Sequence, residues 1–146
     1  MAFPKGFFYR HRGWDFPTPS FVHATHDRIL KTSPGRAGTA HPGVIESAAS
    51  KAVDSAFGDD AYATFFLKVA AIGYTLAHDH GFSDGNKRTA LEVMLLTLKR
   101  NGVHPNPSGR EAATTMVLTA MGLLSIEGLR IVLMTWCGID PADAEA

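Results

Sequence analysis

The chain has 146 residues, 45% hydrophobic and 19% charged, which is the size and composition of one folded domain and excludes a disordered chain. Its 14 basic and 14 acidic side chains cancel, so no global field draws in nucleic acid or an anionic membrane. The lone cysteine, Cys137, excludes an intrachain disulfide, a thiolate zinc site and a redox pair, and fits a reducing cytoplasm. The first residues lack the apolar run and cleavage site of a signal peptide. The most apolar stretch, 114–136, is broken by Glu127 and Arg130 and by Gly122, Ser125 and Gly128, as suits core helices rather than a bilayer span.

In chain order, residues 1–19 read as an aromatic and basic arm: Pro4, Gly6, Gly13, Pro17 and Pro19 break any period, while Phe7, Phe8, Tyr9, Trp14 and Phe16 supply sticky surface. Aromatic and basic residues interleave in 8–14, a pattern suited to packing on the chain's own domain or to stacking on nucleic acid. A helix is predicted from Pro19 or Ser20 to Lys31, with Phe21, Thr25, Arg28 and Ile29 spaced by three and four, and then a loop over 33–43. The next helix starts near Pro42 and carries Val44, Ile45, Ala48, Ala52 and Val53 until Gly58-Asp59-Asp60 stops it. Residues 61–77, with Phe65, Val69, Ile72 and Leu76 recurring at helical spacing, form a central helix buried nearly all round. Lys87–Arg100 is a further helix, with Lys99 and Arg100 at its negative end and Asn101-Gly102 as its stop. Helices over 110–124 and 125–136, the second capped by Ser125, complete the set. No strand-like alternation of useful length occurs, so the expected fold is an all-α, single-domain bundle of about six helices: arm 1–19, domain 20–137, tail 138–146.

The segment His80-Gly81-Phe82-Ser83-Asp84-Gly85-Asn86-Lys87-Arg88 lies between two strongly helical patterns and opens onto the start of the second. The first N–H groups of a helix have no internal partner and carry the positive end of its dipole, so phosphate is a favoured ligand there. Gly85 removes a Cβ from its approach, Asn86 brings an amide, and Lys87 and Arg88 bring two cations. Asp84 alone makes no metal cage, but Mg2+ commonly shares itself between one carboxylate, waters and substrate phosphates. The imidazole of His80 suits proton removal from an attacking hydroxyl, and Phe82 serves as an anchor for the loop.

At these residues the sequence resembles the Fic/Doc superfamily, and more closely its Doc (death-on-curing) toxin branch; Thr89-Ala90-Leu91 and Leu98-Lys99-Arg100-Asn101-Gly102-Val103 continue the likeness, which covers roughly 20–136. Where the Fic branch has a second glycine after the asparagine and another arginine three residues beyond the first, this chain has Lys87 and Leu91. The resemblance implies an all-α toxin that moves the γ-phosphate of ATP to a threonine of elongation factor Tu and arrests translation. It assigns His80 as the catalytic base, Asp84 as the Mg2+ ligand, and Asn86, Lys87 and Arg88 as phosphate contacts, with a cognate antitoxin as partner. Two positions depart from the Doc pattern: His78 replaces an arginine and Glu92 an asparagine, the latter adding a negative charge one helical turn beyond the cradle. The self-inhibitory motif of some Fic proteins is missing, since Leu123 stands where Glu127-Gly128 would need a Ser or Thr partner, which implies an external inhibitor.

Three other readings stand beside this one. The chain is a Fic-type AMP transferase, or a degenerate nucleotide- or antitoxin-binding module. Alternatively, His26-Asp27, His78-Asp79, His80 and Asp84 converge as the metal cluster of a helical His-Asp phosphohydrolase.

Overall fold

The computed structural model describes residues 3–143 and Glu145; Met1 and Ala2 of the expected arm, and Ala144 and Ala146 of the expected tail, lie outside the described residues. In order come β1 (Phe8–His11), β2 (Trp14–Pro17), α1 (Pro19–Thr32), α2 (Pro42–Ser50), β3 (Ser55–Ala56), β4 (Asp59–Asp60), α3 (Phe65–His78), α4 (Asn86–Arg100), α5 (Gly109–Ala120) and α6 (Ile126–Trp136). Six helices among the described residues agree with the all-α expectation. The most apolar helix, α3, is the hub, touching α2, α4, α5 and α6, as its all-round burial requires. Its closest neighbour is α4, whose Met94 thioether fills the gap above Gly73. A Cβ at Gly73 would lie 2.1 Å from that sulfur, so only glycine allows this approach.

The strands were not expected. Residues 8–17 form a two-stranded antiparallel hairpin with Tyr9 opposite Phe16, turned by Arg12 and Gly13, both at positive φ (49° and 85°), as a tight hairpin demands. Tyr9 and Phe16 are core residues, the Tyr9 hydroxyl donates to Ala49 O at 2.6 Å, and Trp14 stacks on Phe65 at 4.3 Å. Four residues per strand are too few for alternation to stand out from the sequence. The hairpin is also bolted to the end of α4: Asp15 N–H donates to Asn101 Oδ1 and Asn101 Nδ2 to Asp15 O, each at 2.8 Å.

Two helix boundaries between Ser50 and Phe65 differ from expectation, and side chains that take backbone carbonyls explain both, chiefly Lys68. Its side chain is 2% exposed, and it donates to Ala52 O (2.8 Å), to Tyr62 O and to Asp60 Oδ2 (2.8 Å). α2 ends at Ser50 rather than at Gly58 where the Tyr9 hydroxyl takes the Ala49 carbonyl and Val53 N–H turns to Ser50 O, Lys68 takes the Ala52 carbonyl just beyond, and its bond to the Tyr62 carbonyl holds residues 61–64 out of α3, which starts after Thr64 caps Leu67 N–H. Asp60 also accepts from His11 (2.9 Å) and Arg12 (2.6 Å), so one carboxylate joins both hairpins to the hub. In α1 the buried face is Val22, Thr25, His26 and Ile29, with Arg28 outside it. The fifth helix stops at Ala120 rather than Leu124, because Gly122 (φ 74°) closes a left-handed cap in which Leu123 N–H donates to Leu118 O.

Burial pushes the Asp60 carboxyl up, but the hydrogen bonds from Lys68, Arg12 and His11 together with the Lys68 charge outweigh it and hold the carboxyl well below the usual range. A depressed carboxyl contributes stability above its unfolded value, near about 3.9, and loses it as pH falls toward the folded one. Asp60→Asn leaves the Lys68 ammonium buried without a counter-charge and is expected to cost about 3 kcal/mol in urea unfolding at pH 7. The variant is also expected to show a shallower loss of stability than wild type below about pH 4.

Candidate active site

The loop between α3 and α4 is built from two left-handed residues and one side-chain clamp. His80 (φ 52°) and Gly85 (φ 79°) turn the chain, the first at a cost that a non-glycine residue bears only where surroundings hold it. Between them the Asn86 amide brackets one residue: Phe82 N–H donates to Asn86 Oδ1 and Asn86 Nδ2 donates to Phe82 O, both at 3.0 Å. The Phe82 ring is buried and lies flat on the His26 imidazole, 3.7 Å between centroids and 4° between planes. His26 Nε2 is 2.7 Å from Asp84 O. A carbonyl can only accept, so Nε2 carries the proton.

All six residues expected at the site, His80, Asp84, Gly85, Asn86, Lys87 and Arg88, line one cavity of about 290 Å³ together with Ala77 and Ser83. The cavity sits on the N-terminus of α4, where the first intrahelical bond is Thr89 N–H to Gly85 O, so the N–H groups ahead of it are free for an anion. His80 and Lys87 are exposed, and among the described residues neither side chain is hydrogen-bonded or ion-paired. The oxygen and one N–H of the Asn86 amide hold the loop clamp, which leaves the second amide N–H and the backbone N–H of Asn86 at the cavity.

A second loop, 33–41, lies along the first and was not anticipated as part of the site. Ser83 N–H donates to Gly38 O (3.0 Å) and His41 N–H to Gly81 O (2.9 Å), with Thr39 bridged to Phe82. Arg36 N–H donates to Asp84 Oδ2 at 3.1 Å, the Arg36 guanidinium reaches Ser83 O at 3.4 Å, and Arg88 Nη2 donates to Pro34 O at 3.0 Å. The Asp84 carboxyl is held below its ordinary range first by the N–H groups of Arg36 and Gly85, against a smaller opposing effect of burial, and then by the charges of Arg36 and Arg88. Asp84 is thus a carboxylate with spare lone pairs at the cavity mouth. Among the described residues no three His, Cys, Asp or Glu side chains converge as a metal cage. This donor set fits a Mg2+ that keeps its waters and leans on substrate phosphates, not one enclosed by protein.

The same geometry separates the His-Asp pairs of the phosphohydrolase reading. His26 is tied to Phe82 and Asp84 O, whereas His78 stacks on Tyr74 (5.0 Å) and pairs with Asp79 at 2.8 Å, outside the cavity. Glu92 does not face the cradle unopposed, since its carboxylate is 3.1 Å from Arg28 on α1. A wider groove of about 480 Å³ between α5 and α6 holds Arg110, Glu111 and threonines but none of the loop's chemistry. No helix is long and apolar enough to cross a membrane among the described residues.

Comparison with known proteins agrees with the resemblance seen in the loop. The Fic/DOC family profile matches residues 16–98. Protein kinase doc of Escherichia phage P1 is 32% identical over 112 residues, 77% of this chain and 87% of that protein. Toxin Doc of Mycolicibacterium smegmatis is 38% identical over 61 residues, 42% of this chain and 47% of that protein.

Gly85→Ala places a Cβ on left-handed backbone, with His26 at an ordinary 3.5 Å, so the penalty is conformational. A loss of about 1–2 kcal/mol and a lower Tm are expected in thermal unfolding, with Gly85→Asn losing less. Glu92→Asn releases Arg28 rather than unmasking the cradle, and ATP affinity by calorimetry is expected to stay within about threefold of wild type, since the exposed pair it breaks is weak.

Proposed function

The chain belongs to the Fic/Doc family, and on that footing we propose that it is a Doc-like toxin that transfers the γ-phosphate of ATP to a Ser or Thr hydroxyl of a protein, with elongation factor Tu as acceptor and translation as the process stopped. The observation that carries this reading is the meeting of an unpaired imidazole, His80, with Lys87, Arg88 and the α4 N-terminus around one cavity. That is the minimum equipment for phosphoryl transfer, in which positioning and charge stabilisation do most of the work. The kinase naming of the phage P1 relative supports the class of reaction, and the toxin naming of the mycobacterial relative supports its biological setting.

In this reading the acceptor oxygen forms a bond to the γ-phosphorus as the bond from that phosphorus to the β,γ-bridging oxygen breaks. ADP leaves, and the hydroxyl proton passes to a ring nitrogen of His80. Lys87, Arg88 and the first N–H groups of α4 hold the phosphate oxygens in line. The loop 33–41 keeps Asp84 and Arg88 in place before substrate arrives. Mg2+, when bound at Asp84, supplies neutralisation of phosphate charge. With Leu123 in place of the inhibitory Ser or Thr, silencing falls to a separate antitoxin.

The test uses purified protein, Mg2+, a bacterial lysate and ATP labelled at the γ- or the α-phosphate. Expected is γ-label on a band the size of elongation factor Tu, lost in His80→Ala by at least about a hundredfold while nucleotide binding persists. Transfer of α-label would instead make the chain a nucleotidyl transferase, and label from neither would make it a binding module. In cells, His80→Ala is expected to abolish growth arrest at equal expression.

A further inference from the structure

Lys87 and Arg88 stand on the first turn of α4, so both meet an anion in the cavity from the helix. The loop 33–41 brings a third cation to the cavity mouth, one that no pattern in the sequence singled out. Arg36 is exposed, its backbone N–H is fixed on Asp84 Oδ2 at 3.1 Å, and its guanidinium has one acceptor, Ser83 O, at a long 3.4 Å. Ser83 lines the cavity. The preceding residue is pressed against the same groups: a Cβ on Gly35 would lie 3.3 Å from Asp84 Oδ2 and 3.5 Å from Arg88 Nη2. Ser83 N–H to Gly38 O and His41 N–H to Gly81 O hold the backbone of this loop in place, which leaves the guanidinium as its movable part.

An exposed arginine beside a carboxylate ordinarily pairs with it. Here each Asp84 oxygen already accepts a backbone N–H, and the guanidinium forms no ion pair among the described residues, although its charge is one of those that hold the Asp84 carboxyl down. Five donors on a planar fork are left with one weak bond to a neutral oxygen. We propose that Arg36 is a catalytic residue of phosphoryl transfer, whose guanidinium leaves Ser83 O and takes oxygens of the γ-phosphoryl group as that group passes from ADP to the acceptor; the inference rests on the phosphate reading above. The exchange runs in a favourable direction, because a long bond to a carbonyl is given up for charge-assisted, bidentate ones.

Arg36 moves no proton in this step. The new bond to phosphorus, the departure of ADP and the proton passed to His80 are those already described, and Arg36 answers charge. Transfer spreads negative charge over the equatorial oxygens of the moving group. Lys87, Arg88 and the first N–H groups of α4 all act from one helix, and Arg88 is already shared with Pro34 O. A cation delivered from a separate loop reaches oxygen that the helix does not, and a group that engages as the charge develops lowers the barrier more than it tightens ATP binding.

Calorimetry with ATP and Mg2+, set against transfer of γ-label to elongation factor Tu or to whichever lysate protein takes the label, tests this on the full chain as wild type, Arg36→Ala and Arg36→Lys. The backbone bond to Asp84 survives both substitutions, so Tm is expected unchanged. Expected are ATP affinities within about threefold of wild type and, at saturating ATP, a transfer rate about a hundredfold lower in Arg36→Ala. Arg36→Lys should lose less, since it keeps the charge without the fork. Added guanidinium ion should restore part of the rate to Arg36→Ala and none to His80→Ala. Transfer by Arg36→Ala within about threefold of wild type overturns the role. So does a loss that vanishes when the acceptor is raised to saturation, which makes Arg36 an acceptor contact, or a loss matched by an equal fall in ATP affinity, which makes it a ground-state binder. Each of these leaves the phosphate cradle and His80 standing. If wild type binds no ATP, or binds it and transfers no γ-label, the phosphoryl-transfer reading itself fails and takes this role with it.

Discussion

The pair of hydrogen bonds between the Asn86 amide and the Phe82 backbone is the constraint on which the site depends. One side chain satisfies both backbone polar groups of a single residue, Phe82, which fixes where the chain turns and where α4 begins. Phe82 can then bury its ring against His26, and Gly85 can take the left-handed conformation that starts the helix. The His26 imidazole secures the other end of the loop through Asp84 O. Asn86 and Phe82 thereby set the loop, and His80, Lys87 and Arg88 line the cavity beside it.

Charge in the site is arranged before any ligand enters. Both Asp84 oxygens already accept a backbone N–H, from Gly85 and from Arg36, so the carboxylate neither needs nor finds a buried ion pair. Arg88 is steadied by Pro34 O, which holds a flexible guanidinium at low entropic cost to binding. Glu92, the one negative charge close by on α4, is answered by Arg28 from α1. Lys87, like His80, stands exposed with no partner among the described residues, and it lines both the polar cavity and an apolar one beside it.

The opposite side of the molecule is organised by a single buried ammonium. Lys68 draws two carbonyls and the Asp60 carboxylate to itself, and Asp60 in turn holds His11 and Arg12 of the first hairpin. That hairpin grips the far end of α4 through Asn101 and Asp15, with Arg100 adding an ion pair at 3.2 Å. The helix whose N-terminus carries the cradle is thus pinned at both ends, by the loop clamp at one and the hairpin at the other. Of these two anchors, the hairpin contributes no residue to the cavity.

What the sequence determined by itself was local. The helical spacing of Phe65, Val69, Ile72 and Leu76, the caps at Ser125 and Asn101, and the nine-residue loop with its imidazole, carboxylate and cations all express periodicity or chemistry within a few residues, which is where sequence is legible. The family likeness followed from that loop and from the residues that continue it through α4. Tertiary structure decided whatever depends on a partner distant in sequence. Ending α2 at Ser50 required the Tyr9 hydroxyl from the first hairpin, and turning residues 8–17 into strands required a core for Tyr9 and Phe16. Making His26 a structural residue required a phenylalanine 56 positions away, and bringing Arg36 to Asp84 required a second loop to pair with the first. Nothing in the spacing of those residues encodes the meeting, because a long-range contact is chosen by the packing of the whole chain and not by the order of its neighbours.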